Sequence, residues 1–180
     1  MPGRSPHEAV DNFVRPLQLA VSCVCSGVLV ISPRGTDANA GPHSLSFAAG
    51  PQRLRCDNPQ MYLSVAHYYR IVEEPSVRGP WRVQSGGYSY ILHANDGPEL
   101  FAFQWHPHGP GPMVTPHVHL GSALGLGDSR WPKLHVPTSR ISVEQVVRLS
   151  IEIGAEPERK DWEQILDETE SAYVQWRSWG

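Results

Sequence analysis

Apolar positions along this chain change their rhythm twice. Val10, Phe13, Val14, Leu17, Val21 and Val24 recur at i, i+3, i+4, the spacing of one buried face of a helix. Ser5 stands where an N-cap belongs, Pro6 in the first turn and Glu8 at the third position, so a helix is expected to begin there. From about Gly27 the rhythm becomes strict alternation. Gly27 to Ser32, Ser44 to Phe47 and Arg53 to Cys56 read as short strands, and Met61 to Val72 as a long one. In the long strand Met61, Leu63, Val65, His67, Tyr69 and Ile71 share one face; Tyr62, Ser64, Ala66, Tyr68 and Arg70 share the other. Trp81 to Val83 and Tyr88 to His93 read as strand-like, with Gly86-Gly87 suggesting a bulge or bend. Asn95-Asp96-Gly97 is a hairpin turn that leads into Glu99 to His106.

The helical rhythm then returns. Ser142-Val143-Glu144-Gln145 has the form of a capping box, and Val143, Val146, Val147 and Ile151 make an apolar stripe closed by Gly154. Asp161 caps a last helix that carries Trp162, Ile165, Leu166, Tyr173 and Trp176. Those aromatics read as core. The order helix, antiparallel strands, helical pair predicts one α+β domain over residues 1–180. The N-terminal helix takes residues 1–25, the sheet 26–136, and two C-terminal helices packed on one sheet face take 137–180.

Onto this frame fall four histidines within fourteen residues: His106 and His108, then His117 and His119. Each pair is spaced i, i+2, which in an extended chain sends both rings to one side. Gly109-Pro110-Gly111-Pro112 between them must loop. Phe101, Phe103 and Trp105 should face inward, which turns Gln104 and His106 the other way. Val118 and Leu120 inward likewise turn His117 and His119 outward, while His108 lies past Pro107, where pairing ends. A third extended piece, Lys133 to Val136, carries His135. The expected result is an imidazole cluster on the sheet face that the helices leave open.

Composition narrows the chemistry. A formal charge of −3 disfavours a nucleic-acid binder held by many phosphate contacts, unless a local groove or a partner compensates. Cys23, Cys25 and Cys56 are too few and wrongly spaced for a disulfide framework, and Cys23 and Cys25 lack a second ligand pair at zinc-site spacing. They are expected to be small apolar groups in a reduced, cytoplasmic interior. The apolar run from Leu17 to Ile31 is too short to span a bilayer, and Glu8 and Asp11 precede it in place of a basic leader. No membrane partner is expected.

Two chemistries suit the histidines. In one, imidazoles bind zinc, iron or manganese and leave a position open for water, with His106, His108, His117 and His119 as ligands. No acid follows His119 before Asp128, whereas a cupin-like pattern would place one sooner. Pro116-His117-Val118-His119-Leu120 also resembles the signature of the histidine-triad nucleotide hydrolases, with Gly121 where their next histidine would stand. In the other chemistry no cofactor is needed: His106, His117 and His119 transfer protons at a phosphodiester, one as general base and one as general acid. Arg70, Tyr68, Gln104, His108, His135 and Arg140 are then the candidate phosphate or base contacts. Arg140 sits at a helix entry, where anions are favoured.

The stretch from about Tyr88 to Leu120, a hairpin followed by Pro-His-x-His, resembles the core of the TumE-type toxins of bacterial toxin–antitoxin pairs. Carried over by position, His117 and His119 match that element. The resemblance covers well under half of the chain, and Phe103-Gln104-Trp105-His106-Pro107 stands where the family has an Arg-Tyr-Asp-Asn-like run. It implies a metal-independent ribonuclease with RNA as substrate and a cognate antitoxin as partner, which makes that chemistry the main expectation and the metal site its alternative. The remaining alternative is a non-catalytic module whose Trp-rich C-terminal helix binds another protein.

Overall fold

The computed structural model describes residues 2–57, 60–74, 76–95, 97–109, 113–127, 130–131, 134–176 and 178–179, of which 173, 176, 178 and 179 are described by backbone alone. Strand β1 (Pro2–Gly3) precedes helix α1 (Pro6–Val21). Strands β2 (Leu29–Ile31), β3 (His43–Phe47), β4 (Gln52–Arg53), β5 (Met61–Glu73), β6 (Trp81–Ala94), β7 (Glu99–Trp105) and β8 (His117–Leu120) follow. After β9 (Val136–Pro137) come helices α2 (Val143–Glu152) and α3 (Trp162–Trp176), and then β10 (Ser178–Trp179). One sheet runs β2-β3-β5-β6-β7-β8-β9, with β1 and β10 added beside β6 and β4 beside β5. Its ladders are antiparallel except where β10 meets β6. The fold is α+β, as the change of rhythm predicts.

Local chemistry sets the helix ends. Ser5 Oγ accepts the Glu8 amide at 3.2 Å, with Pro6 in the first turn. Ser142 Oγ accepts the Gln145 amide at 3.1 Å while Gln145 Oε1 accepts the Ser142 amide at 3.0 Å, a complete capping box. α1 buries Val10, Phe13, Leu17 and Val21 against β5 and β6, and the Phe13 ring meets His67 edge-on at 5.2 Å. α2 and α3 pack against α1, so the three helices share one side of the sheet. No described helix is long and apolar enough to cross a membrane.

The strand-like pieces Trp81 to Val83 and Tyr88 to His93 run together as one strand, β6, through a bulge of the kind Gly86-Gly87 suggests. Tyr68 pairs with Gly87 and Tyr69 with Ser85, which leaves Gly86 as an unpaired bulge. Ser85 and Tyr88 therefore both face the helices, although they lie three residues apart. Gly87 has no room for a side chain: an added Cβ would fall 2.7 Å from the Trp105 carbonyl oxygen of β7. The hairpin turn after β6 places Asn95 in the left-handed region at φ 52°, while Asp96 lies outside the described residues. Arg53 to Cys56 pairs only at its start, and the piece expected from Lys133 pairs only at Val136–Pro137, Lys133 itself lying outside the described residues.

His67 is fully buried on the helix side. Its Nδ1 lies 2.6 Å from the Tyr90 hydroxyl and its Nε2 2.9 Å from Ser85 Oγ. The cysteines are free thiols, and Cys23 and Cys25 are buried, donating to the carbonyls of Leu19 and Val21. Burial pushes the Cys23 thiol up to about 11, so little nucleophilic thiolate exists near neutrality. An alkylating reagent at pH 8 should modify the half-buried Cys56 first and leave Cys23 and Cys25 untouched until denaturant is added. Mass spectrometry of the labelled peptides checks this, and early labelling of Cys23 would contradict the packing.

Candidate functional site

The sheet's second face is built from Ser44, Ser46, Tyr62, Ser64, Ala66, Tyr68 and Arg70, continued across β6 and β7 by Ser89 and Gln104. β8 extends that face. Gln104 pairs with His117 and Ala102 with His119, while Phe103 opposes Val118 and Phe101 opposes Leu120. Both histidines of β8 therefore point away from the helices, as the alternation predicts.

β9 supplies what the His-x-His spacing did not. His117 pairs with Pro137 and Val118 with Val136, so the antiparallel register carries His135 beside His119. The ring centroids lie 5.0 Å apart for His117 and His119, 4.8 Å for His117 and His135, and 4.3 Å for His119 and His135. One ring nitrogen from each falls within 4.8 Å of the others. The trio grades from buried His117 through half-buried His119 to exposed His135. His117 Nδ1 lies 2.8 Å from the Thr115 carbonyl oxygen. Donation there keeps the proton on Nδ1 and leaves Nε2 as the basic nitrogen.

A cavity of about 740 Å³ opens beside the trio, and His117 and His135 form part of its wall. The candidates Tyr68, Arg70, Gln104, His106 and His108 line it too. The His106 ring sits 6.1 Å from that of Tyr68. Burial, and secondarily the neighbouring His117, hold its pKa below the usual imidazole value. Arg70 is exposed, and it makes no ion pair or side-chain hydrogen bond with any described residue.

One candidate stands elsewhere. Arg140 stacks on the Trp105 indole, 4.1 Å from the ring centre, and is not among the described residues lining the cavity. The chain at that point is committed to the helix side, where the Ile141 amide donates to the Tyr88 hydroxyl at 2.9 Å. His106 and His108, expected beside His117 and His119 in a four-ligand set, stay out of the trio. β7 ends at Trp105, and Pro107 follows. The loop residues Pro110, Gly111 and Pro112, and Asp128, lie outside the described residues, as do the side chains of Tyr173 and Trp176 on which a partner-binding helix would depend.

The remaining histidines have local partners. His7 faces Asp11, His43 reaches the Asp37 carbonyl, and His93 bonds Ser64 Oγ. With His67 held in the core, these four side chains belong to the scaffold. Searched against family models, curated proteins and solved structures, the chain matches none of them.

Proposed function

We propose that His117, His119 and His135 hold a zinc ion and that the chain is a hydrolase acting on a substrate in the adjoining cavity. The convergence of three ring nitrogens within 4.8 Å carries this reading. Zinc–imidazole bonds of about 2.0–2.1 Å in a tetrahedral site require nitrogens about 3.3–3.4 Å apart, so small ring rotations close the set. The Thr115 carbonyl supplies the outer contact that fixes a metal-binding tautomer. Three neutral nitrogen ligands suit zinc, iron, copper or nickel, and suit manganese less. Three histidines with a fourth position left for water form a recurrent catalytic zinc arrangement, in which the bound water ionises near neutrality. His106, beside His117, is placed to relay a proton, while Tyr68 and Gln104 shape the substrate's bed. Three free thiols support a cytoplasmic setting.

The second reading keeps the same residues and needs no metal. His106 and His117 act as an acid–base pair on a phosphodiester, in line with the TumE-type resemblance, RNA as substrate and an antitoxin as partner. The presence of both rings in one cavity favours it. Metal analysis separates the two. Protein purified without added metal, then equilibrated with zinc and dialysed, is expected to retain one ion per chain. His117→Ala, His119→Ala and His135→Ala should each lose it, and His106→Ala should keep it. Retention by His135→Ala would rule out this trio, and chelator-resistant RNA cleavage abolished by His106→Ala would establish the second reading.

A further inference from the structure

The cavity has a chemical bias that the trio does not explain. Its described lining includes Arg70, His106, His108, His117 and His135 and no aspartate or glutamate, in a chain whose formal charge is −3. Arg70 stands in that wall with no ion pair or side-chain hydrogen bond to any described residue. The carboxylates nearest to it in sequence, Glu73 and Glu74, are not in the lining, and Glu74 is paired with Arg82.

The ladders give the spacing of the two ends. His117 pairs with Gln104, Gln104 with Ser89 and Ser89 with Ala66, so Arg70 lies three strands across and four residues along. With strands about 4.8 Å apart and a rise of about 3.3 Å per residue, the two Cα atoms are on the order of 15–20 Å apart. Once both side chains reach inward, a gap on the order of 10 Å remains. Between the ends Tyr68, Trp105, Pro107 and Met113 supply apolar wall, interrupted by the neutral amides of Gln84 and Gln104.

We propose that the cavity selects an elongated anion, its phosphate or carboxylate held by Arg70, its apolar or aromatic body along Tyr68, and its labile bond at the histidine trio. The proposal rests on the trio being the reactive centre. It sets apart molecules whose only charge adjoins the bond to be broken, because these cannot reach both ends. A guanidinium suits either anion, since its fork of donors matches two oxygens at once.

Four probes of matched length test it: 4-phenylbutyl phosphate, 5-phenylpentanoate, 4-phenylbutanol and 4-phenylbutylamine. Each is titrated by calorimetry into metal-free protein at pH 8, where an ordinary imidazole is neutral. Both anions are expected to bind at least fivefold more tightly than the alcohol, and the amine least. The tighter of the two anions identifies the natural group. Arg70→Gln should weaken the anions about tenfold and leave the alcohol unchanged, with Arg70→Lys in between. Equal binding of anion and alcohol, no binding of either anion, or anion affinity indifferent to Arg70→Gln would each overturn the proposal. Zinc stoichiometry measured in parallel keeps the two readings apart. Arg70-dependent anion binding without zinc removes only the metal centre; zinc with Arg70-independent binding removes only the anion site.

Discussion

Zinc at a hundredfold excess over its dissociation constant is expected to raise the melting temperature of the metal-free protein by about 5–10 °C. An ion that binds only the folded state at that excess contributes about 2.7 kcal/mol, and a chain of this size gains about 2–4 °C per kcal/mol. His135→Ala should abolish the shift, because it removes the ligand that joins β9 to β8. Loss of a ligand should weaken binding by at least the hundredfold that loss of an outer-shell partner can cost. His108→Ala, in the cavity wall but outside the trio, should preserve the shift. Differential scanning fluorimetry with and without a chelator reads all three proteins. Equal shifts in wild type and His135→Ala would place the ion elsewhere.

The second large effect belongs to the core. His67→Ala is expected to cost about 3–5 kcal/mol, the combined penalty of a cavity and of hydroxyls deprived of a partner. Its imidazole fills space between α1 and the sheet, and joins the Tyr90 and Ser85 hydroxyls at 2.6 and 2.9 Å. His67→Phe keeps most of the volume and should cost less, about 2–4 kcal/mol, because two buried hydroxyls lose a shared partner. Adding Tyr90→Phe to His67→Phe should cost less than the sum of the two single changes, since one change removes the partner that the other strands. Urea denaturation gives the free energies. An additive pair, or a His67→Ala variant within 1 kcal/mol of wild type on the ~1 kcal/mol scale of ordinary substitutions, would remove the network from the account.

Much of the frame was legible because it rests on neighbours in sequence. The caps at Ser5 and Ser142 are four-residue patterns. The outward turn of His117 and His119 follows from alternation against Val118 and Leu120, which a single register satisfies. What failed to show was non-local. His135 joins the trio through a ladder formed after a long connection, and nothing in Leu134-His135-Val136 fixes which strand it pairs with. The histidine before Val136-Pro137 was visible, but its partner was not. Arg140 illustrates the reverse error: a helix entry suggested an anion site, but a nearby indole took the guanidinium. Pro107 was the legible hint that His108 would leave the ladder.

The bulge at Gly86 does more than kink a strand. On its N-terminal side the odd-numbered residues Val83 and Ser85 face the helices; on its C-terminal side the even-numbered Tyr88, Tyr90, Leu92 and Ala94 do. β6 thus changes phase at one glycine, and His67 grips a hydroxyl from each phase, Ser85 before it and Tyr90 after. A residue gained or lost between these two contacts would exchange inside for outside along half the strand. The cavity floor lies where the phases meet, so the parity of β6 and the shape of the cavity floor depend on the same unpaired residue.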